Sequence, residues 1–197
     1  MHRGANGWTA CTTVVSSSRN RCAGSVIAAN SASLSSPWLR AHSASAAVIS
    51  SSRLRLWGRD ERPMFPDDGT SCRAEAYYPP RNGSRFMINI IPSGEIVPPP
   101  DLDTAVAMAE MERQMPGAIA TMDPDVPGMH TTDSIDYVLV VSGEVTLELD
   151  DGKQTVLRAG DVVIQNGTRH AWRNHGTESC TIVGVAIGAD RARPTSP

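Results

Sequence analysis

An all-β domain closed into a barrel or jelly roll is the fold class that these 197 residues predict, and three observations predict it. From Ile135 onward the chain falls into short β-rich runs, IDYVLVVS, EVTLELD, KQTVLRA, VVIQ, TRHAWRN and CTIVGVAIG, each bounded by a turn signal. Within EVTLELD the apolar Val145, Leu147 and Leu149 alternate with Thr146, Glu148 and Asp150, the period of a strand with one dry and one wet face. Asp151-Gly152 and Asn166-Gly167 supply the residues that tolerate the positive φ of a two-residue hairpin. Successive short strands of this kind lose their exposed edges by closing on themselves.

The elements before this region are read in order. Residues 1–55 are rich in Ser, Ala and Arg and hold no sustained period of 2 or 3.6, so they cannot bury a core of their own. The segment reads as a disordered leader or a stretch added by a misplaced start codon. An organelle transit peptide is the other reading, since such peptides are rich in Arg and Ser and poor in acids. Residues 56–82, with Pro63, Pro66 and Asp68-Gly69, read as an extended arm. RFMINIIP (Arg85 to Pro92) is β-branched and apolar and reads as the first strand of a domain over 83–190, followed by a tail at 191–197. Asp101 to Met115 is the one short helix, with acids at its start, Pro116-Gly117 as its stop, and Met108, Met111 and Met115 as a core-facing stripe.

Charge narrows the function. Residues 1–59 carry seven Arg and no acid, so all 21 acids and the other 11 basic residues lie from Asp60 onward. That acidic balance repels phosphate backbones and excludes nucleic acid as a partner of the folded part. No run approaches the roughly 18 apolar residues of a membrane span, so a soluble, cytoplasmic protein with no membrane partner is expected. Cys11, Cys22, Cys72 and Cys180 form no CxxC pair, which points to isolated thiols rather than a zinc knuckle or disulfide framework.

Two segments carry chemistry: PGMHTTDSIDYVLVVSG (Pro127 to Gly143) and GDVVIQNGTRHAWRN (Gly160 to Asn174). With their spacing of His130, Thr132, Asp136 and Gly143, then Gly160, Gln165, Gly167, His170 and Asn174, they resemble the paired motifs of the cupin family. The resemblance implies a single cupin barrel, a double-stranded β-helix or jelly roll. The wording is most similar to the small cupin-domain oxidoreductases of fungal secondary-metabolite pathways. The family's usual ligand set is three His and one Glu around a divalent ion; here Thr132 replaces a His and Asp136 the Glu. What remains, His130, Asp136 and His170, is the ligand set of a facial triad, which favours Fe(II), with Zn(II) or Mn(II) as the other candidates.

On a strand, residues 130, 132 and 136 share one face, so all three side chains can point inward if no bulge intervenes. His130 and His170 are the catalytic candidates, with Thr132 and Trp172 shaping a substrate pocket. Tyr137 has the opposite parity and should face outward, His175 should be solvated, and Asn174 should fix a turn. A buried His hydrogen-bonded to a carboxylate is the purely structural alternative for His130 and Asp136.

The functional expectation is a metal-dependent oxidoreductase, or a dehydratase or decarboxylase, acting on a small hydrophobic or aromatic, polyketide-like molecule. A second version dispenses with metal and uses His170 or His130 as general base, tuned by Asp136. The rival class is a non-catalytic ligand-binding or sensing cupin. By analogy the chain is expected to form a homodimer, with Arg85 to Ile91 as the edge strand offered to the partner.

Overall fold

The computed structural model describes residues 13–15, 52–66, 74–94 and 100–191. Strands β1 (Thr13–Val15), β2 (Ser52–Arg59), β3 (Ser84–Ile91), β4 (Ser134–Ser142), β5 (Glu144–Leu149), β6 (Gln154–Arg158), β7 (Val162–Asn166), β8 (His170–Arg173) and β9 (Cys180–Gly188) follow one another in the chain. They form two antiparallel sheets, one of six strands in the order β1-β7-β4-β9-β3-β2 and one of three in the order β6-β5-β8. The inner faces meet in a core of Val138, Val140, Val145, Leu147, Leu157, Val163, Cys180 and Ile182, drawn from both sheets. This is the all-β, two-sheet barrel that the alternating runs predict.

The Asp151-Gly152 turn forms as its chemistry requires, with φ of 62° and 67°, and joins β5 to β6. The second turn signal behaves differently. Asn166-Gly167 does not make a hairpin, because β7 already has β1 on one side and β4 on the other. The chain instead crosses to the smaller sheet, where β8 pairs with β5. Arg191 holds the crossing by donating to the carbonyls of Gly167 and Thr132.

Three readings differ from the structure. The sheet begins before residue 56, since Ser52–Arg59 pairs along the length of β3, so the border drawn at residue 55 cuts a strand and the arm supplies the sheet's edge. β3 itself lies between β2 and β9, so both its edges are occupied and Arg85 to Ile91 cannot pair with a partner strand. In β5 the alternation is incomplete: Thr146 is buried together with Val145 and Leu147, because β5 is the middle strand and Thr146 sits between Val156 and Arg173. The expectations for residues 1–12 and 16–51, which include His2, Cys11, Cys22 and His42, lie outside the described residues, as do Cys72 and residues 192–197. Cys180 is a buried free thiol.

The helix α1 (Thr104–Gln114) is shorter than its sequence pattern, because Asp103 caps it from outside by accepting from the amides of Ala105 and Val106. Its methionine stripe is only partly a core face. Met108 is exposed, while Met111 and Met115 pack with Tyr77, Met87, Ala118 and Ala186 in a second cluster against the larger sheet. The segment before β3 is pinned by Arg85, which is fully buried. Its guanidinium donates to the carbonyls of Ala76, Tyr77, Tyr78 and Arg59 and pairs with Asp60. Where β9 ends, a Cβ on Gly188 would lie 1.8 Å from the Pro80 carbonyl oxygen, so two backbones meet with no room for a methyl group.

Candidate functional site

His130 stands just before β4 and His170 opens β8. Each donates its backbone N–H to the other's carbonyl at 2.9 Å, an isolated antiparallel bridge between segments that belong to different sheets. The bridge brings the imidazoles together, with ring centroids 4.2 Å apart. Arg169 reinforces it by binding Asp123 in the loop before His130 and Asp150 at the end of β5.

Both rings are tethered through the same nitrogen. His130 Nδ1 lies 3.1 Å from the Gly128 carbonyl and His170 Nδ1 lies 2.9 Å from the Thr168 carbonyl. A carbonyl can only accept, so each Nδ1 carries the proton and each Nε2 keeps its lone pair. Burial lowers both pKa values. His130, further depressed by the neighbouring His170 and by the charge of Arg53, falls to about 3 despite its bond to Gly128. His170 is lowered by burial against the opposing bond to Thr168. The cavity therefore holds two neutral imidazoles.

Both line one recess of about 560 Å³, its open mouth included, together with Asp136, Trp172, Tyr78 and Arg53. Trp172 meets His170 edge to face at 5.9 Å between centroids, and Tyr78 stacks over His130 at 6.1 Å. Burial pushes the Tyr78 phenol up to about 12, so it stays protonated. Asp136 Oδ1 lies 2.6 Å from Ser134 Oγ, which in turn lies 2.9 Å from Thr132 Oγ1. Burial raises the Asp136 carboxyl to about 6, although the serine bond works in the opposite direction.

The residues singled out from the sequence are thus divided. His130, His170, Asp136 and Trp172 face the same cavity, while Thr132 is buried behind it on Ser134. The inward parity holds from His130 through Thr132 and Ser134 to Val138 and Val140, with no bulge in that stretch. Tyr137 is 46% exposed and His175 is exposed, as their positions imply. Asn174 is a turn-fixer: it donates to the carbonyls of Ile91 and Glu178 and accepts from the Gly176 amide.

The metal expected on His130, Asp136 and His170 meets a mismatch. The tethered imidazoles suit ligation, because metal-binding histidines are oriented in this way. Yet among the described residues no three His, Cys, Asp or Glu side chains lie close enough to hold one ion. Asp136 is held on Ser134 and does not complete the set.

Arg53, Tyr77, Tyr78, Met87 and Asn89 also line the cavity and were not singled out by the motifs. Met87 and Asn89 carried a readable signal, since they share the inward face of β3 with Arg85. Tyr77 and Tyr78 lie in the arm and Arg53 in the low-complexity stretch, where no periodicity marks them.

Residues 118–186 match the Cupin domain family. Among curated proteins, "Phomopsin biosynthesis cluster protein C'" of Diaporthe leptostromiformis is 48% identical over 65 residues, 30% of this chain and 34% of that protein. "Cupin-domain-containing oxidoreductase virC" of Hypocrea virens is 44% identical over 46 residues, 23% of this chain and 24% of that one. "Cupin-domain-containing oxidoreductase srdD" of Neurospora crassa is 33% identical over 86 residues, 39% and 44% of the two chains. The chain spans about a third of the length of the first of these relatives. A Cupin 2 conserved barrel domain protein from Salinispora arenicola matches with 17% identity over 70% of this chain and 75% of that one, at a TM-score of 0.37. Both motif segments lie on one two-sheet barrel and inside the matched stretch, so residues 118–186 are what resembles the Cupin domain family.

Proposed function

We propose that this chain is an enzyme of small-molecule biosynthesis, an oxidoreductase or a related dehydratase or decarboxylase, acting on a small apolar or aromatic molecule held in the barrel. The observation that carries this reading is the pair of buried imidazoles, each with Nδ1 tethered to a carbonyl and Nε2 left as the basic nitrogen. A neutral imidazole whose Nε2 keeps its lone pair can accept a proton from a bound acid, although burial weakens its basicity. Trp172 and Tyr78 flank the pair and would hold a flat substrate, and Asp136 supplies a carboxyl on the same wall. The oxidoreductase class comes from the names of the fungal relatives.

A second reading gives the imidazole pair a divalent ion, Fe(II), Zn(II) or Mn(II), and what favours it is the Nδ1 tethering alone. One experiment addresses both. The purified full chain, chelator-treated or supplied with each ion, is offered a panel of small aromatic and polyketide-like acids, while product masses and dioxygen uptake are followed. Turnover that survives chelation and is lost in His130→Gln and His170→Gln supports the base reading. Turnover that returns only with one ion supports the metal reading. Turnover unchanged in both variants refutes the site.

A further inference from the structure

Arg53 is the one cationic arginine or lysine among the described residues that line the cavity, and it comes from edge strand β2 rather than from either motif. Its arginine neighbours have oxygen acceptors. Arg55 donates to the Ala76 carbonyl at 2.7 Å, and Arg85 is surrounded by carbonyls and Asp60. Arg53, half-buried, reaches only the Met115 thioether, at 3.8 Å, and forms no ion pair with a carboxylate among the described residues. A thioether is a weak acceptor, so most of the five N–H donors of this fork have no acceptor among the described residues. The charge is felt inside the recess: it adds to the lowering of His130 and works against the burial that raises Tyr77 and Tyr78. The one carboxylate on the cavity wall, Asp136, is held by Ser134.

A guanidinium at the wall of a partly desolvated space calls for an anion, and the geometry of its fork matches a carboxylate. Met87, Val138, Ile182 and Trp172 supply an apolar part of the remaining wall, beside the polar Asn89 and Gln165. We infer that the ligand of this cavity is a flat, apolar molecule bearing a carboxylate, with that carboxylate on Arg53 and its body against Trp172 and the apolar part of the wall. The inference rests on the reading of the cavity as a small-molecule site, and it names the substrate class.

The test is calorimetric binding of benzoate and benzamide, which share a shape and differ in charge, to the full chain. Benzoate is expected to bind about tenfold or more tightly than benzamide, the range of a charge-assisted hydrogen bond. Arg53→Met should erase the difference while leaving benzamide binding in place, and Arg53→Lys should keep part of it. The guanidinium ¹⁵N resonances of Arg53 in the unaltered protein should shift with benzoate and not with benzamide, a readout that needs no variant. Equal affinities, no binding of either probe at millimolar concentration, unmoved Arg53 resonances, or a preference that persists in Arg53→Met would each overturn the inference. His170→Gln separates it from the catalytic reading, since the benzoate preference should survive there whether or not turnover does.

Discussion

The backbones of His130 and His170 are joined by reciprocal N–H to carbonyl bonds of 2.9 Å, and their imidazoles lie 4.2 Å apart. The bridge spans the place where the two sheets come together, so the position of the rings is set by the barrel's closure rather than by a flexible loop. Two rings this close and this buried cannot both hold a charge.

Acid should therefore unfold the metal-free protein earlier than an ordinary histidine would. The folded pKa of His130, about 3, lies below the unfolded 6.5, so the unfolded state binds more protons between those values. Stability is full above about 6.5 and falls as pH drops toward 3, by up to about 1.4 kcal/mol per pH unit. Denaturant melts at stepped pH should show this slope, and His130→Gln should flatten it. An equal slope in both proteins would place the acid sensitivity elsewhere.

Asp136 works in the other direction. Its folded pKa, about 6, lies above its unfolded 3.8, so its contribution is present at low pH and is lost as pH rises through about 6. Asp136→Asn should stabilise the protein at pH 7.5 by at most about 3 kcal/mol, and by less because the carboxyl is only partly buried. The gain should vanish near pH 4. In Ser134→Ala the acid loses the donor that favours its charged form, so its carboxyl ¹³C titration should move above 6.

Arg85 is expected to be among the most sensitive positions outside the cavity. Arg85→Met would strand the carbonyls of Ala76, Tyr77 and Tyr78 and the carboxylate of Asp60, at about 3–5 kcal/mol. Chemical denaturation measures the loss. Arg85→Lys should recover only part of it, since one ammonium cannot serve the same set of acceptors. Full stability in either variant would contradict the pinning role.

Gly188→Ala should destabilise by about 1–3 kcal/mol or more, because the new methyl group meets backbone rather than a side chain that can turn away. Gly152→Ala is the contrasting case: nothing lies near its Cβ, and only its positive φ opposes the change. A thermal melt of the two variants ranks them directly.

Sequence reasoning reached the barrel because strand alternation is periodic, and the histidine pair because its two segments resemble the paired cupin motifs. Strand alternation and parity put His130, Asp136 and His170 on inward faces, and the structure has them there. It did not reach the relation of the carboxylate to the rings, since parity fixes a side and not a distance, and Ser134 decides where Asp136 rests. The Asn166-Gly167 turn misled for a similar reason: positive φ marks a sharp bend, while the pairing on either side depends on which strand edges are vacant. Arg53, Tyr77 and Tyr78 were illegible because they reach the cavity through long-range contacts made by segments with no pattern of their own.

That reach across the chain has a practical side. A fragment trimmed at the compositional border, starting from Leu56, would keep both histidines and most of the strands, yet it would discard half of β2 and Arg53 with it. Such a shortened protein would present a cavity stripped of its arginine to every compound tried. Screening it would miss any preference for anionic ligands that Arg53 gives the intact chain.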